Sequence, residues 1–139
     1  MPNATEDKDA IREVLAEYCF ALDGGQYDAM AALFTEDGTW DTAFGAATGH
    51  AAIAALARDL RARAGAERPR AIHLVTNIAI TLAGDRAEVR SNWIVVQNSS
   101  ANSPGGPKIG SGGGYADQMA KVDGRWRFRY RKIDRFIVG

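Results

Sequence analysis

Cys19 is the only cysteine in 139 residues, which excludes an internal disulfide and leaves no thiolate cluster to hold zinc. Excess charge is lacking too. Lys and Arg number 17 against 17 Asp and Glu, so no long-range field selects nucleic acid or an anionic membrane as a partner. No run of about eighteen apolar residues is available to span a bilayer. The opening MPNATEDKDA mixes charges where a signal peptide needs a continuous apolar stretch. These absences predict a soluble, cytoplasmic protein whose ligand is a small molecule. Only two histidines occur, and no set of His and carboxylates has metal-ligand spacing, so neither a metal nor a cofactor is expected. Phosphate motifs are missing as well. The glycines of NSSANSPGGPKIGSGGG, residues 98–114, contain no GxxxxGK[ST], and the third glycine of a GxGxxG reading falls on Tyr115. This segment is expected to be a flexible hairpin loop able to cover a pocket mouth, with plain disorder as the alternative.

What is present fits one domain, residues 1–139, large enough for a single core. Ile11, Val14, Leu15, Tyr18 and Leu22 form one helical stripe, with Thr5 or Asp7 as cap and Gly24-Gly25 as stop. A shorter helix follows in YDAMAALF, then a turn at Thr35-Glu36-Asp37-Gly38 and a short strand around Trp40. A third helix, HAAIAALARDLRARAG, turns Ile53, Leu56, Ala57 and Leu60 inward. From Arg70 the period changes to two. One strand carries Ile72, Leu74, Thr76, Ile78, Ile80 and Leu82 on one face and His73, Val75 and Asn77 on the other; further strands cover Ala87 to Gln97 and Gly114 to Val122, and Asp123-Gly124 turns into RWRFRYRKI. Three helices followed by long antiparallel strands predict an α+β fold with the helices on one sheet face.

The opening helix ends on a carboxylate, Asp23, where the helix dipole favours a cation. Either Asp23 organises the turn to Gly24-Gly25, or it is held there for chemistry. His50, at the start of the third helix, needs no special reason to be polar. His73 does, because an imidazole on an inward face must find a partner, either a backbone carbonyl or Asp23. Tyr18 and Asp23 do not share a face of an ideal helix, but the two glycines permit the carboxylate to be redirected. In that arrangement Asp23 orients His73 as general base and then acid, and Tyr18 donates a hydrogen bond to an oxygen that gains charge.

The stretches AIREVLAEYCFALDGGQYDAMAALFTEDGTW, GHAAI, HLVTNIAI and GYADQMAKVDGRWRFRYRKI together resemble SnoaL-like proteins of the nuclear transport factor two superfamily along nearly the whole chain. The resemblance implies a cone-shaped roll in which a curved, mixed, mostly antiparallel sheet wraps three helices around a deep apolar pocket. The same fold hosts scytalone dehydratase, bile-acid dehydratase, ketosteroid isomerase, limonene-epoxide hydrolase, polyketide cyclases, dioxygenase small subunits and non-enzymatic carriers. Tyr18, Asp23 and His73 are similar in order and spacing to the dehydratases' tyrosine, aspartate and histidine, although the second histidine of scytalone dehydratase has no counterpart. Likeness to limonene-epoxide hydrolase is weaker, since Asp117 and Arg131 on paired strands equally describe a structural ion pair.

Trp40, Phe44, Leu56, Val75, Asn77, Trp93, Tyr115 and Phe128 are the expected substrate-binding wall. Arginines 125, 127, 129 and 131 alternate with Trp126, Phe128 and Tyr130, which predicts an outer strand face that can pair with a second subunit as a homodimer or higher oligomer. The chemistry expected is a dehydratase acting on an apolar cyclic or aromatic molecule; a ketosteroid-isomerase-like or cyclase reaction and a non-catalytic binding subunit are the alternatives.

Overall fold

Helix α1 (Ala4–Asp23) begins where the Asn3 side chain accepts the Glu6 N–H at 2.9 Å. Asn3 therefore takes the capping role expected of Thr5 or Asp7. Asp7 instead accepts from Trp126 Nε1 at 2.9 Å and Lys121 Nζ at 3.0 Å, and these bonds, Trp126's above all, hold its carboxyl below the usual range. The stripe read from the sequence faces the core: Ile11, Leu15 and Tyr18 are fully buried. The computed structural model describes residues 3–99 and 105–138.

Helix α2 (Tyr27–Ala31) buries Met30 and Ala31, and leads into β1 (Phe34–Thr42), which absorbs the expected turn at Thr35–Gly38. The turn residues are a bulge in a longer strand: the pairing of β1 with β6 shifts register between Phe34 and Thr39. Gly38 is buried there, and a Cβ on it would lie 2.9 Å from the Phe128 carbonyl oxygen. The short β2 (Gly45–Thr48), not foreseen, pairs back on β1. Helix α3 (His50–Ala64) follows Gly49, whose φ of 90° suits glycine. His50 proves partly buried, its Nε2 donating to the Phe34 carbonyl at 2.7 Å.

Four long strands complete the chain: β3 (Ala71–Ala83), β4 (Arg86–Gln97), β5 (Lys108–Val122) and β6 (Arg125–Val138). The six-stranded sheet has the order β2-β1-β6-β5-β4-β3; β1 and β6 run parallel and every other pair is antiparallel. It does not close, so β3 is an edge, and α1 packs against it. This is the α+β roll expected, with all three helices on one sheet face.

Much of the glycine segment is strand rather than loop. Residues 108–114 belong to β5, and 100–104 lie outside the described residues. The glycines permit close approach: a Cβ on Gly113 would fall 1.9 Å from the Asp134 carbonyl oxygen, at a register shift between β5 and β6. Two other bulges reverse expected faces. Between Thr76 and Ala79 the β3 register shifts and Asn77 takes a positive φ of 55°, so the inward set passes from Ala71, His73 and Val75 to Ile78, Ile80 and Leu82. Asn77 is left exposed. On β6 the shift opposite Gln118 and Met119 leaves Arg129 without a cross-strand partner, and Arg131 turns fully inward instead of sharing the outer face with Arg125 and Arg129.

Candidate active site

Asp23 closes α1 one turn after Tyr18 and Cys19 are buried, and Gly24 and Gly25 carry the chain away from it. Its side chain is thereby free to cross to edge strand β3. There Oδ1 accepts from His73 Nδ1 at 2.6 Å and Oδ2 from the His73 backbone N–H at 2.8 Å. The second bond has a topological cause: alternate N–H groups of an edge strand point away from the sheet and lack a strand partner. One carboxylate thus satisfies a backbone donor and fixes the ring tautomer, with the proton on Nδ1 and the lone pair on Nε2. Both side chains are partly exposed, at 22% for His73 and 17% for Asp23.

Those two residues and Tyr18 line one cavity of about 560 Å³, within the usual range for small-molecule sites. Four rings run along its wall in sequence. His73 and Trp93 have centroids 6.2 Å apart, Trp93 and Tyr115 stack at 6.0 Å, and Tyr115 meets Tyr18 edge-on at 5.9 Å. Trp93 is pinned because Nε1 donates to the carbonyls of Gly114 at 3.2 Å and Asp134 at 3.1 Å. Trp40 Nε1 donates to the Tyr18 hydroxyl at 2.9 Å, leaving the phenolic hydrogen for another acceptor. Burial pushes Tyr18 up to about 12 and Tyr115 well above its ordinary value, so both phenols keep their protons at neutral pH. Burial also raises Cys19 to about 11, which removes it as a thiolate nucleophile.

Of the expected wall residues, Trp40, Phe44, Trp93 and Tyr115 line this cavity; Leu56, Val75, Asn77 and Phe128 do not. Phe128 is fully buried beneath, edge-on to Tyr18, and Leu56 packs into the core. Val75 lines a second hollow of about 820 Å³ between α1 and β3, which shares Asp23 and His73 but not Tyr18, Trp40 or Tyr115. The first cavity brings Tyr18, Asp23 and His73 together and is the better candidate. Sequence reasoning missed Tyr27, Arg61, Arg68, Gln97, Ser111 and Arg135 in its wall. Gln97 and Ser111 were legible as same-face neighbours of Trp93 and Tyr115 in period two.

Under the ring wall lies Arg131, fully buried, its guanidinium carbon 3.5 Å from the Tyr115 ring centroid, 4.2 Å from Tyr18 and 4.5 Å from Phe128. Asp117 sits in register across β5 and β6, with Oδ1 3.0 Å from Arg131 Nε. The contact is close but not aligned, and among the described residues no well-directed hydrogen bond reaches either carboxylate oxygen. Burial therefore outweighs Arg131 and pushes Asp117 up to about 6. Neither residue lines the cavity, so the pair is structural, as its strand positions allowed. No three His, Cys, Asp or Glu side chains group to hold a metal ion among the described residues, and no described helix is long and apolar enough to cross a membrane.

Fold and site together define an α+β roll with a cavity of small-molecule size and a His–Asp pair set in its wall. The chain belongs to the SnoaL-like domain family, which it matches over residues 3–132. It is similar to Rv3472, a Mycobacterium tuberculosis protein of unknown function, at 31% identity and a TM-score of 0.80, covering 94% of this chain and 72% of that one. It is similar to a proposed scytalone dehydratase from Novosphingobium aromaticivorans at 26% identity and a TM-score of 0.76, covering 94% of this chain and 85% of that one. ActVI-ORFA from Streptomyces coelicolor shares the fold at 24% identity and a TM-score of 0.84, covering 97% and 98%. No curated protein matches the chain.

Proposed function

We propose that this protein is a cofactor-independent dehydratase acting on an apolar cyclic β-hydroxyketone. The observation that carries the reading is the double grip of Asp23 on His73 at the wall of the aromatic cavity. With Nδ1–H held by the carboxylate, Nε2 is the basic site and takes a proton from the carbon beside the substrate carbonyl. The electrons of that C–H bond form the new C=C bond as the β C–O bond breaks. The proton on Nε2 then passes to the departing hydroxide, which leaves as water. Asp23 stabilises the transient imidazolium, and the Tyr18 phenol donates to the oxygen on which charge accumulates. Likeness to the proposed scytalone dehydratase supports this choice of reaction; isomerase or cyclase chemistry would use the same base. The expected assembly is a homodimer or higher homo-oligomer.

A second reading has one observation behind it. Asp23 also serves an edge-strand N–H, which a non-catalytic carrier of the same fold would equally require. The two readings separate with a β-hydroxytetralone, whose dehydration gives a fluorescent naphthol. His73→Ala is expected to lower turnover by about a hundredfold or more while Kd for the product naphthol, read by tryptophan quenching, changes little. Naphthol binding with no turnover by the wild type across β-hydroxyketones of this size would favour the carrier.

A further inference from the structure

The charge balance of the whole chain, 17 against 17, is not kept at the cavity. Its wall includes Arg61, Arg63, Arg68 and Arg135, while Asp23 is the one carboxylate lining it among the described residues. That carboxylate is engaged by His73. Arg63 is offset by Asp59 at 2.7 Å, and Arg61 donates to the Gly65 carbonyl at 2.9 Å, near the negative end of α3. Arg68 and Arg135 come from separate places: Arg68 precedes β3, and Arg135 lies on β6, with β5 and β4 between those two strands. Strands stand about 4.8 Å apart, so the two cations belong to different sides of the mouth. Arg135 also stacks over Phe44, guanidinium carbon to ring centroid 5.6 Å, at an exposed point of the wall. Within lie Tyr18, Trp40, Trp93 and Tyr115, which accommodate an aromatic body.

We infer that the cavity selects an anionic ligand: a fused-ring molecule carrying a carboxylate, its rings against the aromatic wall and its charge drawn to the mouth by the cations that flank it, Arg68 on one side and Arg135 on the other, together with Arg61. Guanidinium forks match a carboxylate in geometry and shed hydration more readily than ammonium groups do. The inference rests on the reading of this cavity as the ligand site, though not on the reaction proposed for it.

Binding of naphthoate and of its uncharged carboxamide, followed by tryptophan quenching, tests it. Naphthoate is expected to bind about tenfold tighter than the carboxamide at low salt, with the preference shrinking as NaCl is raised. Arg68→Gln combined with Arg135→Gln should abolish the preference and leave the carboxamide Kd unchanged, whereas Arg129→Gln, an exposed cation on the bulge of β6, should keep it. Equal binding of the two probes by the wild type, or a preference that survives the double substitution, overturns the inference while the cavity reading stands. If neither probe binds, both fall.

Discussion

Asp23 takes two hydrogens from one residue, and they make opposite demands on any replacement. The backbone N–H of His73 needs only an acceptor, which an amide oxygen can supply. The ring Nδ1–H needs an anion close by to settle the tautomer and to stabilise the imidazolium. Asp23→Asn therefore separates support of the strand from support of the base. The amide oxygen is expected to stay on the edge-strand N–H, at a stability cost of about 1 kcal/mol by urea unfolding. Its NH₂ then faces a ring nitrogen that must accept, which moves the proton to Nε2 and removes the base. Turnover should fall by roughly a hundredfold or more, and the ¹⁵N shifts of His73 should report the exchanged tautomer. A variant with normal turnover and the new tautomer would show that Nε2 is not the base. The pairing was legible in the sequence because a carboxylate at a helix C-terminus and an inward imidazole both ask for explanation. The capture of the backbone N–H was not legible, since nothing local marks β3 as an edge.

Bulges decide which residues of an element face the core, and period-two reasoning cannot locate them. The long strands were readable from alternation, as were all three helices from their apolar stripes. One extra residue at Arg129 nevertheless sent Arg131 under the ring wall, and another near Asn77 sent that residue outward. Across β5 and β6 the first bulge creates a buried pair with a measurable signature. Asp117 titrates at about 6 in the folded protein, against about 3.9 for an unfolded chain. The folded state thus holds that proton to higher pH than the unfolded chain does. The stabilising contribution is full below about pH 4 and is lost as pH rises through 6. Asn at this position has no such titration. Asp117→Asn should therefore gain on the wild type as pH rises: the urea midpoint of the variant minus that of the wild type becomes more positive from pH 4.5 to 7.5. A constant difference would show that Arg131 fully compensates the carboxylate.

At the scale of the molecule, local pattern shows that helices cover one sheet face but not how the chain returns to its beginning. The parallel pairing of β1 with β6 joins segments nearly a hundred positions apart, Phe34 beside Phe128, and loop closure of that kind leaves no trace in periodicity. It also places Trp40 over Tyr18 and completes the cavity. The other sheet face carries several exposed apolar side chains. Cross-strand register aligns Ile72 with Val96 and Ile109, and Leu74 with Ile94, Gly112 and Ile137. Phe136 lies against the same surface beside Gly114 and is 70% exposed. Contiguous apolar area of this kind on a monomer marks an interaction surface, and an apolar patch meeting its own copy would suit the two-fold contact expected of a homodimer. If the chain pairs with a second copy, the β3 to β6 end of the sheet is the surface proposed for that contact, beside the arginine-bearing face of β6 expected from the sequence. Light scattering on the wild type should give the dimer mass at micromolar concentration. Phe136→Asp with Ile137→Asp should give the monomer with its far-ultraviolet circular dichroism retained, because both side chains are largely solvent-exposed within the single chain. A wild type that runs as a monomer at that concentration would leave the patch to some other partner.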